Sequence, residues 1–242
     1  YMHDGQMLFD AQNTWNKQAW EIDEAAGKLI SENKTKKFIV VGISSIASKR
    51  HSEYFPQKPY NSLTSGQKEY ISNEIFEKQN TVFNPTSDNY LKFIVTELKP
   101  FIDKNFSTKT NVANTFIAGS SMGGLISMYA MCEYPKVFSG AACLSTHWPG
   151  TYQIENNPIP DAFLSYLDQH LPKPKHHKIY FDYGDKTLDS LYPKLQKRVD
   201  SLMVKKGYSE KYWLTKYFPG KEHSENAWSE RISIPLLFLL GK

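Results

Sequence analysis

The pentapeptide Gly119-Ser120-Ser121-Met122-Gly123, a G-x-S-x-G pattern, constrains this chain more than any other feature. It follows the apolar run 115–118 and precedes a helix-like stretch, so it marks a sharp turn from a strand into a helix. Such a turn exposes the serine hydroxyl, and the flanking glycines avoid collisions with the neighbouring strand or helix. The free N–H groups at the start of the helix suit a developing oxyanion. The pattern predicts a serine hydrolase with Ser121 as its nucleophile.

The remaining sequence predicts an α/β fold with a mostly parallel sheet and helices on both faces. Short apolar segments, often β-branched or aromatic, alternate with helical patterns, as in βαβ units. The predicted strands are 38–43, 115–118, Gly140–Leu144, Lys178–Tyr183 and 212–218, and the predicted helices are 21–31, 90–105, 124–134, 161–170, 190–206 and 227–239. Pro100 and Pro235 are expected to kink or divide two of these helices.

A long polar segment, residues 44–89, interrupts this alternation. It is punctuated by proline and glycine and has weak periodicity, so we expect a long irregular insert after an early strand. Such an insert is either an ordered surface excursion or a functional loop or lid. It leaves the carboxyl end of the strand 38–43, where open α/β sheets bind ligands. Part of it is expected to border the substrate site, and the candidate residues are Arg50, His51, Glu53 and Tyr54.

A serine nucleophile needs a base, and in this kind of fold the chain order is Ser, then acid, then His. His223 follows the last predicted strand and precedes the final helix, which places it on a loop at the carboxyl edge of the sheet. His147 also follows a strand but comes before any acid in that order. Four further histidines, His3, His170, His176 and His177, lie too early or in or near a Pro/Lys-rich loop. His223 is therefore the predicted base.

Two aspartates follow the strand Lys178–Tyr183 and are candidates for the acid. Asp185 comes directly after Gly184, which is also common turn chemistry. Asp189 precedes a predicted helix and has the alternative role of an N-cap. Asp182 lies inside the strand and is less able to reach a histidine. Asp189 is preferred, and Asp185 is retained as the alternative.

The oxyanion hole and the substrate contacts are less strongly specified. One oxyanion donor is expected to be the N–H of Met122, and the other the N–H of Gln6 or its neighbour, where Gly5 permits close approach of the backbone. Trp148 follows a predicted strand end and is a candidate for stacking on a sugar or an aromatic acid. A core or loop position is the equally weighted alternative for Trp148.

Four segments together resemble the Putative esterase family of α/β-hydrolases, which includes esterase D-type S-formylglutathione hydrolases, enterochelin esterases, and feruloyl or acetyl-xylan esterases. Residues 1–10, 119–124, 184–192 and 220–223 are similar to its oxyanion, elbow, acid and histidine segments. A recurring Thr-Leu-Asp in a bacterial subgroup adds weight to Asp189. The resemblance implies the α/β-hydrolase fold and a carboxylic ester hydrolase without metal or organic cofactor. Ser120 stands where formylglutathione hydrolases usually carry His, which disfavours that activity.

Composition removes several other function classes. The net charge of +4 at pH 7 is small and the lysines are dispersed, which argues against a nucleic-acid-binding protein. No apolar stretch approaches the ~20 residues of a membrane span. No His, Cys or Asp cluster has convincing metal-ligand spacing. The two cysteines are interpreted as buried small hydrophobes. The oligomeric state is left open.

The predicted reaction is double displacement through an acyl-enzyme. The favoured substrates are small-molecule or oligosaccharide esters, in particular acetyl or feruloyl esters of carbohydrates. The alternatives are a siderophore-type ester, acyl transfer on the same scaffold, and a non-catalytic binding protein. A polysaccharide substrate favours a periplasmic or secreted location. Because Tyr1-Met2 is typical of the end of a strand, we expect one α/β-hydrolase domain over 1–242 that lacks its N-terminal strand or strands.

Overall fold

A six-stranded sheet organises the computed structural model, which describes residues 1–79, 83–152 and 154–242. The strands are β1 (Met2–His3), β2 (Gly42–Ile43), β3 (Phe116–Ser120), β4 (Gly140–Leu144), β5 (Lys178–Tyr183) and β6 (Trp213–Tyr217). Their order is β2-β1-β3-β4-β5-β6, and every neighbouring pair is parallel. The carboxyl ends of all six strands therefore meet at one edge.

Helices cover both faces of this sheet, as predicted. They are α1 (Ile22–Ser31), α2 (Ala47–Tyr54), α3 (Gln57–Asn61), α4 (Ser65–Gln79), α5 (Ser87–Phe93), α6 (Lys99–Asn105), α7 (Met122–Glu133), α8 (Ile159–His170), α9 (Pro193–Lys205), α10 (Glu225–Ser229) and α11 (Ser233–Leu240). Side chains alternate between the faces along each strand. On β5, Ile179 and Phe181 join the core beneath α7, whereas Tyr180 packs on the opposite face with Leu236 of α11.

The predicted strand 38–43 is shorter than expected. Among the described residues of this segment, Gly42 and Ile43 alone pair in the sheet. Their neighbour β1 is two residues long, so it provides partners for two residues. Strands β3 to β6 lie within two residues of their predicted bounds. Cys132 and Cys143 are both buried and free, as their interpretation as small hydrophobes implied.

The insert is helical, and the prediction of an irregular segment was wrong. Helices α2, α3 and α4 lie within it, and α5 begins before its end; residues 80–82 lie outside the described residues. Its apolar side chains, among them Tyr54, Phe55, Leu63 and Ile71, join the core beneath α7. Two of the helices have only eight and five residues, too short for a periodic pattern to accumulate. Tertiary packing therefore stabilises this segment more than local propensity does.

Both proline-containing helices are interrupted, as predicted. The helix predicted over 90–105 contains a π-helical turn, Ile94–Leu98, that ends two residues before Pro100, which cannot donate an N–H to the helical ladder. The helix predicted over 227–239 is divided into α10 and α11, with Pro235 in the first turn of α11. The helix predicted from residue 190 begins at Pro193 and is preceded by a 3₁₀ turn, Thr187–Leu191.

Candidate active site

Ser121 occupies the turn between β3 and α7 in a backbone conformation that non-glycine residues rarely adopt, with φ 57° and ψ −122°. A Cβ added at Gly119 would lie 2.8 Å from the carbonyl group of Gly123, so the turn requires glycine there. At the start of α7 the Gly124 N–H donates to the Ser121 carbonyl at 3.0 Å, whereas Met122, the first residue of the helix, is at a position whose N–H has no intrahelical acceptor. The local geometry is therefore that of the predicted strand-to-helix elbow.

Ser121 lines a cleft of about 370 Å³ at the carboxyl edge of the sheet. The other lining residues are Ala47, Ser48, Arg50, His51, Met122, His147, Tyr152 and Leu188. One arginine and two histidines contribute to this wall, and no carboxylate is among the lining residues that the structure describes. A larger cavity of about 570 Å³ lies between residues 36–41 and α11 and contains none of the predicted site residues.

His223 and Asp189 are in direct contact, which agrees with the preferred pairing. The His223 Nδ1 atom lies 2.6 Å from Oδ1 of Asp189, whose side chain is fully buried. Asp185, the alternative acid, is exposed and accepts hydrogen bonds from the Tyr217 hydroxyl (2.6 Å) and the Gly220 N–H (2.8 Å). Asp185 thus stabilises the loop that carries His223 and does not contact the imidazole.

Hydrogen bonds join the loop before Asp189, here called the acid loop, to the loop that carries His223, here called the histidine loop. The Lys221 carbonyl accepts hydrogen bonds from the N–H groups of Asp185 and Lys186, each at 3.1 Å. The Thr187 hydroxyl accepts the His223 N–H at 2.8 Å. A Cβ at Gly184 would lie 2.1 Å from the Lys221 carbonyl oxygen. Only glycine at position 184 permits this approach of the two loops.

Tyr192 connects the serine and histidine sides of the site and was not among the predicted site residues. Its fully buried side chain packs against the His223 ring at a centroid distance of 5.8 Å. Its hydroxyl lies 2.9 Å from Nδ1 of His147, and the Ser121 side chain lies near the same hydroxyl. Both Ser121 and His223 therefore border one phenol. A sequence signal existed: Tyr192 follows Asp189 by three residues, the repeat of a 3₁₀ turn.

His147 is a second histidine of the cleft, although its position in the chain order excluded it as the base. Burial, followed by the nearby charge of His223, lowers the pKa of His147 to about 3, so the ring is neutral at ordinary pH. Its ring is also hydrogen-bonded to the Thr151 backbone. His147 therefore provides a neutral, fixed wall beside Ser121.

The predicted oxyanion segment forms a 3₁₀ turn, Gly5–Met7, after β1. A Cβ at Gly5 would lie 2.6 Å from the carbonyl carbon of Gly42, so this glycine allows the turn to approach β2 rather than a ligand. The Gln6 side chain exchanges two hydrogen bonds with Ser45, at 2.8 and 3.0 Å. Met122 lines the cleft, whereas Gly5 and Gln6 lie on the adjoining turn outside the set of lining residues.

Two of the three predicted substrate contacts are core residues. Tyr54 is fully buried and its hydroxyl accepts the Asp4 N–H at 3.2 Å. Trp148 is 3 % exposed, and its indole N–H donates to Gln196 at 2.8 Å. The predictions that these aromatics bind substrate do not fit this structure, because packing from both sides leaves no face open. Arg50 does line the cleft, and Tyr152, 59 % exposed, is the aromatic available there.

Two further properties of the described residues bear on function. They contain no group of three or more His, Cys, Asp or Glu side chains arranged to hold a metal ion. None of their helices combines the length and apolar character that crossing a bilayer requires.

Comparison with known proteins places these features in context. The model of the family described as "Putative esterase" matches residues 1–233. The chain is 25% identical over 168 residues to the uncharacterized protein YbbA of Bacillus subtilis (strain 168). The aligned region covers 67% of this chain and 63% of that protein. It is 29% identical over 157 residues to an endo-1,4-beta-xylanase/feruloyl esterase of Xylanibacter ruminicola. That aligned region covers 62% of this chain and 18% of the relative.

A solved structure shares the fold. The enterobactin esterase FES from Shigella flexneri superposes with a TM-score of 0.64 at 14% identity, over 98% of this chain and 50% of that one. At this identity the likeness shows the fold alone. The chain spans less than two thirds of the length of each of these three proteins.

Proposed function

The chain belongs to the Putative esterase family, and from that premise we propose that it hydrolyses carboxylic esters through an acyl-enzyme on Ser121. One observation carries the proposal: the 2.6 Å contact between His223 and a fully buried Asp189, at the sheet edge where Ser121 opens helix α7. A buried carboxylate bonded to Nδ1 fixes the tautomer of the imidazole and stabilises its protonated form. Nε2 of His223 is then free to act as the base.

The proposed reaction is double displacement. His223 takes the Ser121 proton as the hydroxyl oxygen attacks the ester carbonyl carbon. The oxyanion accepts hydrogen bonds from the Met122 N–H and from the N–H of Gln6 or Gly5. The alcohol then leaves with the proton from His223, and water repeats the sequence on the acyl-enzyme. Loss of one oxyanion donor costs about 10²–10³ in rate.

We propose acyl esters of carbohydrates, acetyl or feruloyl, as the substrates. The cleft volume of about 370 Å³ is at the small end of ligand pockets and suits one acyl group. Exposed Tyr152 offers an aromatic face at the cleft. The feruloyl esterase relative from Xylanibacter ruminicola supports this choice. The alcohol part of such a substrate, an oligosaccharide, would lie outside the cleft. Because the substrate is then a carbohydrate ester, we also propose a periplasmic or secreted location.

An anionic ester, such as a siderophore-type ester, is the second candidate. The observation that favours it is the Arg50 guanidinium in the cleft wall, which contains no carboxylate among the described lining residues. Comparison of kcat/KM for neutral and carboxylate-bearing acyl esters distinguishes the two candidates. Product analysis with an added sugar acceptor distinguishes hydrolysis from acyl transfer.

The direct test is mass spectrometry after exposure to a fluorophosphonate, run beside an assay with p-nitrophenyl acetate. We expect one adduct on Ser121, turnover of the ester, and neither in Ser121→Ala. Ser229→Ala, which removes an exposed hydroxyl of α10, is the matched control and should retain both. Full esterase activity in Ser121→Ala would refute the proposal, as would an unlabelled, folded wild-type protein.

A further inference from the structure

A buried polar group lies directly behind Asp189. Ser145, the residue after β4, is fully buried and has a positive φ of 41°. Its Oγ lies 2.7 Å from Oδ2 of Asp189, 3.0 Å from Nε1 of Trp228 and 3.0 Å from Nη2 of Arg231. One hydroxyl thus contacts three polar side chains in a site that water does not reach.

The direction of these hydrogen bonds is determined by chemistry. The indole N–H of Trp228 and the guanidinium of Arg231 are donors only. A serine hydroxyl has two acceptor lone pairs and one proton. Since both lone pairs are occupied, the Ser145 proton has one destination, Oδ2 of Asp189. The hydroxyl is therefore held in a single orientation.

The cation in this group is itself fixed. Arg231 is 3 % exposed and contacts Asp182 through Nε to Oδ2 at 3.2 Å and Nη2 to Oδ1 at 3.0 Å. Asp182 also accepts the Ser145 N–H at 3.1 Å and the Tyr180 hydroxyl at 3.0 Å. The Arg231–Asp182 pair thus holds both the backbone and the hydroxyl of Ser145.

Oδ1 of Asp189 is available to His223, because other donors occupy Oδ2. Oδ2 accepts two hydrogen bonds, from Ser145 and from the Gly184 N–H at 2.6 Å. Oδ1 accepts from Nδ1 of His223. Donors to a buried carboxylate stabilise its ionised form and restrict its rotation.

We propose that Ser145 is a positioning residue that holds the Asp189 carboxylate aimed at His223, and that Arg231 acts through it. The role rests on the proposed function, because it matters to catalysis only where His223 is the base. Ser145 touches no substrate and acts through the carboxylate. Removing its hydroxyl leaves one oxygen of a buried carboxylate short of a donor, and the carboxylate is then less restricted in its rotation. The hydrogen bond to His223 weakens as a result.

The test compares Ser145→Ala with Ser87→Ala. Ser87 is also fully buried and its hydroxyl accepts the Gln57 N–H at 2.9 Å, in the insert and away from Asp189. We expect Ser145→Ala to lower kcat for p-nitrophenyl acetate roughly 10- to 100-fold with KM within about twofold, since it removes a hydrogen bond to a charged group. Ser87→Ala should keep the wild-type kcat.

A second readout does not depend on turnover. The proton between His223 and Asp189 should give a downfield ¹H NMR resonance that disappears in His223→Gln. It should shift or broaden in Ser145→Ala and remain in Ser87→Ala. An unchanged resonance and kcat in folded Ser145→Ala would overturn the inference while leaving the proposed function intact. Absence of fluorophosphonate labelling in the wild type would refute the proposed function, and the resonance would still decide the role of Ser145. If Ser145→Ala does not fold, Ser145→Cys, a weaker donor, should show the same shift.

Discussion

Arg50 holds Asp4 through two parallel hydrogen bonds, Nε to Oδ1 and Nη2 to Oδ2, each 2.8 Å long. Arg50 belongs to helix α2 of the insert, and Asp4 precedes the turn Gly5–Met7 with a left-handed φ of 55°. Burial would raise the pKa of Asp4, but the charge and hydrogen bonds of Arg50 outweigh it and the net pKa is lowered. The insert therefore fixes the proposed oxyanion turn, in addition to bordering the cleft.

Replacement of Arg50 should accordingly affect catalysis and stability together. We expect Arg50→Met to lower kcat more than it raises KM, because the turn loses its anchor. The free energy of unfolding should fall by roughly 1–3 kcal/mol, since Asp4 is left largely buried without a partner. Urea unfolding and p-nitrophenyl acetate kinetics measure the two effects.

Two variants control this prediction. Arg50→Met combined with Asp4→Asn should regain part of the lost stability, because the unpaired charge is removed. Arg198→Met breaks an exposed pair with Asp161 and should cost less than about 1 kcal/mol. An Arg50→Met enzyme with normal kcat and a high KM would instead make Arg50 a substrate contact.

The assignment of the acid gives a sharp contrast between two neighbouring aspartates. Asp189→Asn should lower kcat/KM roughly 10³- to 10⁴-fold, because the amide no longer stabilises the protonated imidazole. Asp185→Asn should change kcat/KM by only a few fold, since Asp185 contacts Tyr217 and Gly220 at the surface. Steady-state kinetics of both variants with the same ester measures this difference in kcat/KM. Equal losses in the two variants would show that the loop geometry, and not the His223–Asp189 contact, limits activity.

Gly184 provides a test of how closely the acid and histidine loops must approach. In Gly184→Ala the added Cβ meets the Lys221 carbonyl oxygen at 2.1 Å, and this backbone atom has to move. We expect a cost of about 1–3 kcal/mol in stability and a loss of activity of roughly 10²-fold. Gly27→Ala, in the interior of α1 with nothing within 4 Å, should keep activity and gain up to about 1 kcal/mol. Wild-type activity in Gly184→Ala would contradict the prediction.

The parts of the proposed site that depend on local order are predictable from the sequence. The elbow around Ser121 is set by a pentapeptide with two glycines. The preference for Asp189 over Asp185 agrees with the contact to His223, because a 3₁₀ turn, Thr187–Leu191, carries Asp189 back beneath the histidine loop. Each of these features depends on residues that lie within a few positions of each other in the sequence.

The remaining features depend on contacts between distant segments. Tyr54 and Trp148 are buried because the insert and α9 cover them, and no pattern within a dozen residues distinguishes them from exposed Tyr152. Ser145 contacts partners 44 and 86 residues away. A lone polar residue after an apolar strand carries no signal of such a role until the sheet order is known.

Two buried histidines make stability depend on pH. His3 is 1 % exposed and His147 4 % exposed, and burial lowers the pKa of each to about 3. In the unfolded chain both titrate near the ordinary value of about 6.5. Because the folded-state pKa is depressed, their contribution to stability is present above about pH 6.5 and is lost as the pH falls toward 3. Between pH 7 and pH 5 each should remove about 2 kcal/mol from the free energy of unfolding.

His147→Asn should therefore flatten this pH dependence even though it lowers stability at pH 7. The asparagine has no proton to gain, so the decrease between pH 7 and pH 5 should shrink by about 2 kcal/mol relative to the wild type. Urea unfolding at the two pH values measures the difference. His176→Asn, which replaces an exposed histidine, should leave the decrease unchanged. If His147→Asn lost as much stability as the wild type over this interval, His147 would be protonated in the folded protein, and a neutral cleft wall beside Ser121 would be ruled out.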